Sequence, residues 1–413
     1  MVFDLDGVVY LRDQVVPGAQ AGLRGVRDLG VAVAFVTNNS SRPPEEVAAK
    51  LRGLGVQAAA EEVLTSSQAV VHLLGGKAGL AGVRVLVVGG PGLRLALEEA
   101  GADLVSNAAW REAQVVAVGI DPEITYGRLA AACLAIRAGA RFVGSNPDDT
   151  LPTPEGPVPG NGAFLALLTA ATGVGPEVAG KPEPALFETA AAALGAGPYL
   201  MVGDRGDTDL EGAAQLGWDT ALVLTGVVRP AGLLDLPSAP DHLLADLGGL
   251  LDPPGPRVRE AAVAEAEAVA ALLREAGLPG EQAPGRIRST LVAADGERVV
   301  GTLAWNRHGD EALLRGIAVA AGHWDRLVGT RLVLAACLTL RAAGVRRVGV
   351  LAAKGAGFFT RLGFREVAHA DLPAPAALLA HAAGPATPLV RDLPGSGPAE
   401  RPDHPGGIGS AQA

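Results

Sequence analysis

Met1-Val2-Phe3-Asp4-Leu5-Asp6-Gly7-Val8-Val9-Tyr10 opens the chain, and the fold is read from it outward. Residues 1–5 read as a short buried strand, with the carboxylates of Asp4 and Asp6 placed where that strand ends at Gly7. Side chains two apart leave a strand on one face, so both acids address one small volume at its carboxyl end. Open α/β sheets bind their ligands there. Two acids this close repel, and an apolar strand end raises the cost unless a cation or a shared proton relieves it. A divalent metal with a phosphate is the natural resolution.

The chain around this motif has 413 residues and 49% hydrophobic content, which predicts two or three domains with large cores. A formal charge of -10 with no basic block to offset it argues against a nucleic-acid partner. Two cysteines, Cys133 and Cys337, give no disulfide framework and fit a reducing cytoplasm. No signal peptide precedes the first strand and no apolar run is long enough for a bilayer, so no membrane partner is expected. Because the chain starts almost inside its first strand, a true start a few residues upstream is expected. Only four of the 34 basic residues are lysines, at 50, 77, 181 and 354, which makes each less casual as surface charge.

Along the chain, 17–29 has helical spacing and 31–36 is a β-rich run ending in Thr37-Asn38-Asn39. Pro43-Pro44-Glu45-Glu46 opens a helix to about 54. The pattern restarts near 79: strand 84–88, Gly89-Gly90-Pro91-Gly92, helix 93–100, strand 115–118 and helix 126–138. The glycine cluster lacks the third glycine of a dinucleotide loop and the Gly-Lys-Ser/Thr of a P-loop, so it reads as a plain turn. Ser145-Asn146-Pro147-Asp148 leads into a Pro/Gly-rich stretch, 151–162, which reads as a long substrate-facing loop. A third restart at Gly180-Lys181-Pro182 gives helix 186–194, strand 199–202 ending in Gly203-Asp204-Arg205-Gly206-Asp207-Thr208-Asp209, helix 210–216 and strand 220–224. Pro253-Pro254-Gly255-Pro256 reads as a linker, and 258–278 as a helix that begins a new domain. The Pro/Gly/Ser-rich end, 392–413, reads as a disordered tail.

Asp4-x-Asp6, Thr37-Asn38, Lys181 and Gly203-Asp204 with Asp207 and Asp209 each fall just past a predicted strand or at a helix start. Alone, each has a bland reading as turn, cap or surface charge; their joint order does not. In that order the chain resembles the haloacid dehalogenase superfamily of phosphatases. Val118-Gly119-Ile120-Asp121 with Tyr126, and Ser145 to Asp148 through Pro159-Gly160-Asn161-Gly162, match the subgroup with a large inserted α/β cap, the p-nitrophenyl phosphatase and phosphoglycolate phosphatase-like enzymes. The resemblance covers roughly 1–250. It implies a Rossmann-like, doubly wound parallel α/β core (1–76 and 179–252) with a cap at 77–178.

The same resemblance implies the chemistry. Asp4 would be the nucleophile that forms an aspartyl-phosphate, and Asp6 the acid and then base for leaving group and water. Mg²⁺ would bind the Asp4 and Asp204 carboxylates and the Asp6 backbone carbonyl. Asp207 and Asp209 would support the ion's waters or Lys181; Thr37, Asn38 and Asn39 would bind the phosphoryl group, and Lys181 would neutralise its charge. The dehalogenase branch lacks the second acid and the metal and fits less well. Asn146, Asp148 and the loop 157–161 are candidate substrate contacts in the cap, which closes over small metabolites. Caps of this kind often pair, which suggests a homodimer.

Residues 257–391 resemble a GNAT-type N-acetyltransferase domain of α+β class, with Gly357-Phe358-Phe359-Thr360-Arg361-Leu362-Gly363-Phe364 matching that family's late helix. Two departures stand out. The pyrophosphate-binding pattern falls on 324–329, with Trp324 at its leading position and Leu327 at its central glycine, and the general-acid tyrosine falls on Phe359. A catalytically silent regulatory or packing domain is expected, without acetyl-CoA binding. The pairing of the two parts resembles actinobacterial glycerol-3-phosphate phosphatases, which implies glycerol 3-phosphate as substrate and a place in glycerophospholipid recycling. The alternatives are a broad metabolite phosphatase acting on phosphoglycolate and p-nitrophenyl phosphate, and an acetyltransferase whose phosphatase-like half only binds ligand.

Overall fold

The opening stretch forms a buried strand, Val2–Asp4, in the interior of a six-stranded parallel sheet. The computed structural model describes residues 1–75, 78–153, 155–253, 255–278, 287, 289–373 and 386–395. The chain divides into two units, Met1–Arg229 with Pro240–Pro253 and Pro230–Ala239 with Pro254–Ala413.

In the first unit the sheet order is His242–Leu244, Asp219–Val223, Leu200–Gly203, Val2–Asp4, Ala34–Thr37, Val63–Thr65, all parallel. The strands alternate between two buried faces. Phe3, Phe35 and Val202 pack with Leu23, Val26, Val47 and Leu51 of helices Ala19–Asp28 and Pro44–Gly53. Val2, Ala34, Val36 and Met201 face the other way, onto Ala69, Leu186 and Ala213 of helices Ser66–Gly75, Pro184–Leu194 and Glu211–Gln215. Burial on both faces explains the near-continuous apolar runs, and the doubly wound core expected from the sequence is what forms. The chain builds outward from Val2–Asp4 to one edge and later returns to its other side, so the order reverses between Val2–Asp4 and Leu200–Gly203. A crevice opens beyond the carboxyl ends of strands at such a reversal. Asp4 and Asp204 stand at its two sides.

The inserted cap is a second parallel sheet, ordered Glu177–Val178, Arg141–Gly144, Val115–Val118, Arg84–Val88, Asp103–Leu104. One of its faces is closed by helices Tyr126–Arg137 and Asn161–Thr172. Two expectations change here. The stretch 151–162 is not a loop but holds a hairpin, Thr150–Thr153 with Gly156–Pro159, in which Pro152 pairs with Pro157. A two-stranded ribbon has only edges, where proline costs no ladder bond. Residues 206–210 form a π-helical turn before a shorter helix, Glu211–Gln215.

The second unit has a seven-stranded sheet, ordered Arg257–Glu260, Thr290–Asp295, Arg298–His308, Glu311–Val319, Arg347–Ala352, Thr387–Asp392, Arg365–Glu366. Only Glu311–Val319 with Arg347–Ala352 is parallel among its pairs. The helix predicted at 258–278 is a strand, Arg257–Glu260, followed by a helix, Ala266–Glu275. Pairing with Thr290–Asp295 overrides helical propensity at the start, and Arg259 bonded to both oxygens of Glu265, at 2.8 Å each, braces the change of direction. Leu393 is buried and donates to the Arg346 carbonyl, so 392–393 belong to the fold. The expected tail from 396 onward lies outside the described residues. Among the described residues no helix is long and apolar enough to cross a membrane.

Candidate active site

Asp4 ends its strand and turns back at once: the Leu5 carbonyl accepts from the amides of Val8, Val9 and Tyr10. Gly7 makes the turn at φ +83°, and a Cβ there would stand 2.3 Å from Asp204 Oδ2. Glycine is required both for the conformation and for the close approach.

Four charged side chains converge beyond the strand ends. Lys181 Nζ donates to Asp4 Oδ1 at 2.5 Å and to Asp209 Oδ1 at 2.6 Å. Asp4, Asp204 and Asp209 each bring a carboxylate oxygen within 4.8 Å of the others. Exposures of 8, 3, 1 and 0% for Asp4, Lys181, Asp204 and Asp209 exclude bulk water, so three acids share one ammonium in a low-dielectric place. The electrostatics record the strain. Burial drives Asp4 well above the ordinary carboxylate range, with Asp209 and Asp204 adding to it against Lys181. Burial and then Asp209 push Asp204 up to about 7, although the Val227 amide, 2.6 Å from Oδ2, pulls the other way. Burial would lower Lys181, but Asp209 and Asp4 reverse the sign and hold it above its usual value. Oxygen-only donors with unbalanced negative charge fit a hard divalent cation.

Asp6 lies apart from this trio. Its carboxylate is exposed, yet enough protein surrounds it that desolvation raises its pKa, opposed by Lys50 and Lys181. Asp209 holds Lys181, while Asp207 instead takes Arg205 Nε and Nη2 at 3.1 and 2.8 Å. Thr37 is buried at its strand end, its hydroxyl accepting from the Asn39 amide at 3.1 Å. The Asn38 side chain, expected on the phosphoryl oxygens, is committed elsewhere. Its amide donates to Asp148 Oδ2 at 3.0 Å and the Lys181 carbonyl at 3.1 Å, and its oxygen accepts from the Lys181 amide at 2.8 Å. Asn39 ties its own loop through Ser41. In the cap, Asn146 donates to the Asn38 carbonyl at 2.7 Å, and Asp148 Oδ1 accepts from Arg205 Nη1 at 3.0 Å.

Arg205 thus joins the Asp204 loop to the cap, a role that only its position between Asp204 and Asp207 hints at in the sequence. Equally hidden is the loop after strand Asp219–Val223. Thr225 Oγ1 donates to the Gly7 carbonyl at 2.5 Å, and Val228 N donates to the Asp204 carbonyl at 3.1 Å.

Residues 1–103 match the haloacid dehalogenase-like hydrolases, 178–250 a second HAD-hydrolase-like family, and 286–366 the acetyltransferase (GNAT) domain. A 5'-nucleotidase of Bacillus subtilis is 41% identical over 249 residues, 60% of this chain and 94% of the relative. The chain belongs to the haloacid dehalogenase-like hydrolases. This hydrolase is also 45% identical over 227 residues to a D-glycerol 3-phosphate phosphatase of Mycobacterium tuberculosis, covering 55% of this chain and 63% of that protein. A crystal structure of glycerol phosphate phosphatase from Mycobacterium tuberculosis in complex with magnesium superposes with TM-score 0.67 and 32% identity, over 88% of this chain and 95% of that one.

The hydrolase carries a GNAT-like domain in its second unit. Leu327, where that family's pattern has glycine, sits at φ +53° ahead of helix Val328–Ala342. Trp324 is exposed and its indole N–H is bound to the Val319 carbonyl at 2.9 Å. Phe359 is buried against Phe358 and Phe364.

Proposed function

We propose that this hydrolase cleaves small phosphate monoesters, with glycerol 3-phosphate as its principal substrate, Mg²⁺ as its metal and Asp4 as the residue transiently phosphorylated. The observation that carries the proposal is the burial of Asp4, Asp204, Asp209 and Lys181 together at the reversal of the sheet. Asp4, Asp204 and the Asp6 carbonyl would hold the ion, which when bound supplies Lewis-acid stabilisation of phosphoryl charge. Asp209 serves Lys181 instead, since its Oδ1 accepts from Lys181 Nζ and its Oδ2 from the Arg205 amide, whereas Asp4 has only Oδ1 engaged by Lys181.

The chain's own residues then do the following. An Asp4 oxygen attacks phosphorus, and the ester P–O bond breaks as the aspartyl-phosphate bond forms. Asp6 gives its proton to the departing alkoxide. As a carboxylate it next takes a proton from the water that attacks phosphorus, which frees phosphate and restores Asp4. A raised pKa suits Asp6 to carrying that proton. Lys181, locked in its charged form, offsets the phosphoryl charge, and Asn38 holds the Lys181 backbone in place.

For the substrate, structural likeness to the Mycobacterium tuberculosis glycerol phosphate phosphatase extends over 88% of the chain, and the sequence match to the D-glycerol 3-phosphate phosphatase is 45% identical against 41% for the nucleotidase. The 41% identity to that nucleotidase favours nucleoside 5'-monophosphates as the second reading. In both, the GNAT-like unit transfers no acetyl group. Phosphate release would be followed with Mg²⁺ over glycerol 3-phosphate, phosphoglycolate, sugar phosphates, nucleoside monophosphates and p-nitrophenyl phosphate. Glycerol 3-phosphate should give the highest kcat/KM; equal turnover of every ester rejects that assignment, and turnover of none rejects the activity.

A further inference from the structure

We propose that Arg341 and Arg391 of the GNAT-like unit are positioning residues for Asp204, acting through a strap formed by residues 225–241. The proposal rests on the reading above only in taking Asp204 as a metal ligand. At its first end the strap grips that residue. The Val227 amide donates to Asp204 Oδ2 at 2.6 Å, the Val228 amide to its carbonyl, and Gly226 lies so close that a Cβ would stand 1.9 Å from Oδ2. At residue 230 the chain enters the second unit. There Leu233, Leu234 and Leu236 are buried at 0, 1 and 5% exposure, and Asp235 Oδ1 accepts from Arg391 Nη2 at 2.5 Å. Arg341 Nη2 donates to the carbonyls of Leu236 and Pro237 at 2.6 and 2.7 Å. At its far end the strap returns to the first unit, where Asp241 Oδ2 accepts from the amide and hydroxyl of Thr220 at 2.8 and 2.9 Å.

Both ends are therefore fixed in the first unit and the middle in the second. Between Val228, which holds Asp204, and Pro230 stands one residue, Arg229. Pro230 has a fixed φ and restricts Arg229 before it, so this link has little slack. Each residue spans at most about 3.6 Å, and a shift of an ångström or two in the anchored middle reaches Val227 and Val228 rather than being absorbed. The side chains of Arg341 and Arg391 thereby set where the Asp204 carboxylate rests.

The test uses the full-length chain as wild type, as Arg341→Ala with Arg391→Ala, and as Asp235→Ala. Mn²⁺ alone would be titrated by electron paramagnetic resonance, and amide exchange read at Val227 and Val228. Both variants should bind Mn²⁺ about five-fold more weakly, the low end of typical coupling factors, with faster exchange at both amides. With p-nitrophenyl phosphate, kcat should fall at limiting Mg²⁺ and recover at saturating Mg²⁺, with KM for the ester unchanged. Unaltered Mn²⁺ affinity and unaltered exchange at 227 and 228, with faster exchange confined to 230–239, would overturn the proposal. If the double variant does not fold, Asp235→Ala, which keeps the buried leucines and the Arg341 bonds, decides by the same two readouts. A wild-type chain that binds Mn²⁺ yet hydrolyses no ester rejects the phosphatase reading, while a weakened affinity in the variants still supports the coupling.

Discussion

Three buried carboxylates against one ammonium make Asp204 a proton trap when no metal is present. Its folded-state value of about 7 lies above the ordinary 3.8, so between those values the folded protein holds a proton that the unfolded chain releases. Metal-free stability should therefore be greatest below pH 4 on account of this group and decline as pH rises from about 4 to 7. Mg²⁺ competes with that proton, so its affinity should climb over the same window. Thermal melts with EDTA and with Mg²⁺ between pH 5 and 8 check both signs; a metal-free Tm that rises with Asp204 present and is flat in Asp204→Asn contradicts them. Asp4→Asn removes one of the crowded charges along with the nucleophile. Turnover should fall by on the order of 10³-fold or more, while metal-free Tm should not drop and the gain on adding Mg²⁺ should shrink. Phosphate release and paired melts measure these effects. The acids were legible in the sequence because residue type and spacing past a strand are enough to place them. Asn38 was not: its partner Lys181 lies 143 positions away, and nothing local says that both amide protons are already spent.

At the scale of elements, what could be read followed burial. Strands Val2–Asp4, Ala34–Thr37 and Arg84–Val88 are buried almost throughout, and buried parallel strands are apolar runs. Where the partner decides instead, the sequence misleads: prolines hide the hairpin Thr150–Thr153 with Gly156–Pro159, and a helix-forming stretch hides strand Arg257–Glu260. The loop at 145–149 shows the same limit. Asn146 and Asp148 were expected on substrate, but Asp148 is shared between Arg205 Nη1 at 3.0 Å and Asn38 Nδ2 at 3.0 Å. It therefore ties the cap to both the Asp204 loop and the residue that positions Lys181. Asp148→Ala should lower kcat/KM by about tenfold, the value of one hydrogen bond to a charged group at the low end of about 1.5–3 kcal/mol, with little change in Tm. A matched loss for every ester in the panel is the signature of this tie; a loss confined to one ester would mean that Asp148 meets substrate directly.

At the scale of the molecule, the chain crosses between its units at 229/230, 239/240 and 253/254. A simple linker at 253–256, as the sequence suggests, would allow the phosphatase part to be cut free. The Bacillus subtilis relative, matched over 94% of its length by 60% of this chain, invites the same cut. Here, however, residues 230–239 carry Leu233, Leu234 and Leu236 into the second unit, and each buried leucine is worth roughly 1.5–3 kcal/mol. A chain ended at 252 would turn those three side chains out into water as one apolar patch, with the Asp235 carboxylate and the carbonyls of Leu236 and Pro237 stripped of their arginines. It should associate or bind hydrophobic dye, as size-exclusion chromatography and dye fluorescence would show. Replacing the three leucines by serine in the shortened chain should restore a monodisperse protein. In the full-length chain the same replacements should destabilise the second unit. Opposite effects of one set of substitutions in the two contexts are what a strap shared between units requires; solubility of the unmodified 1–252 chain would show that the leucines find cover within the first unit alone.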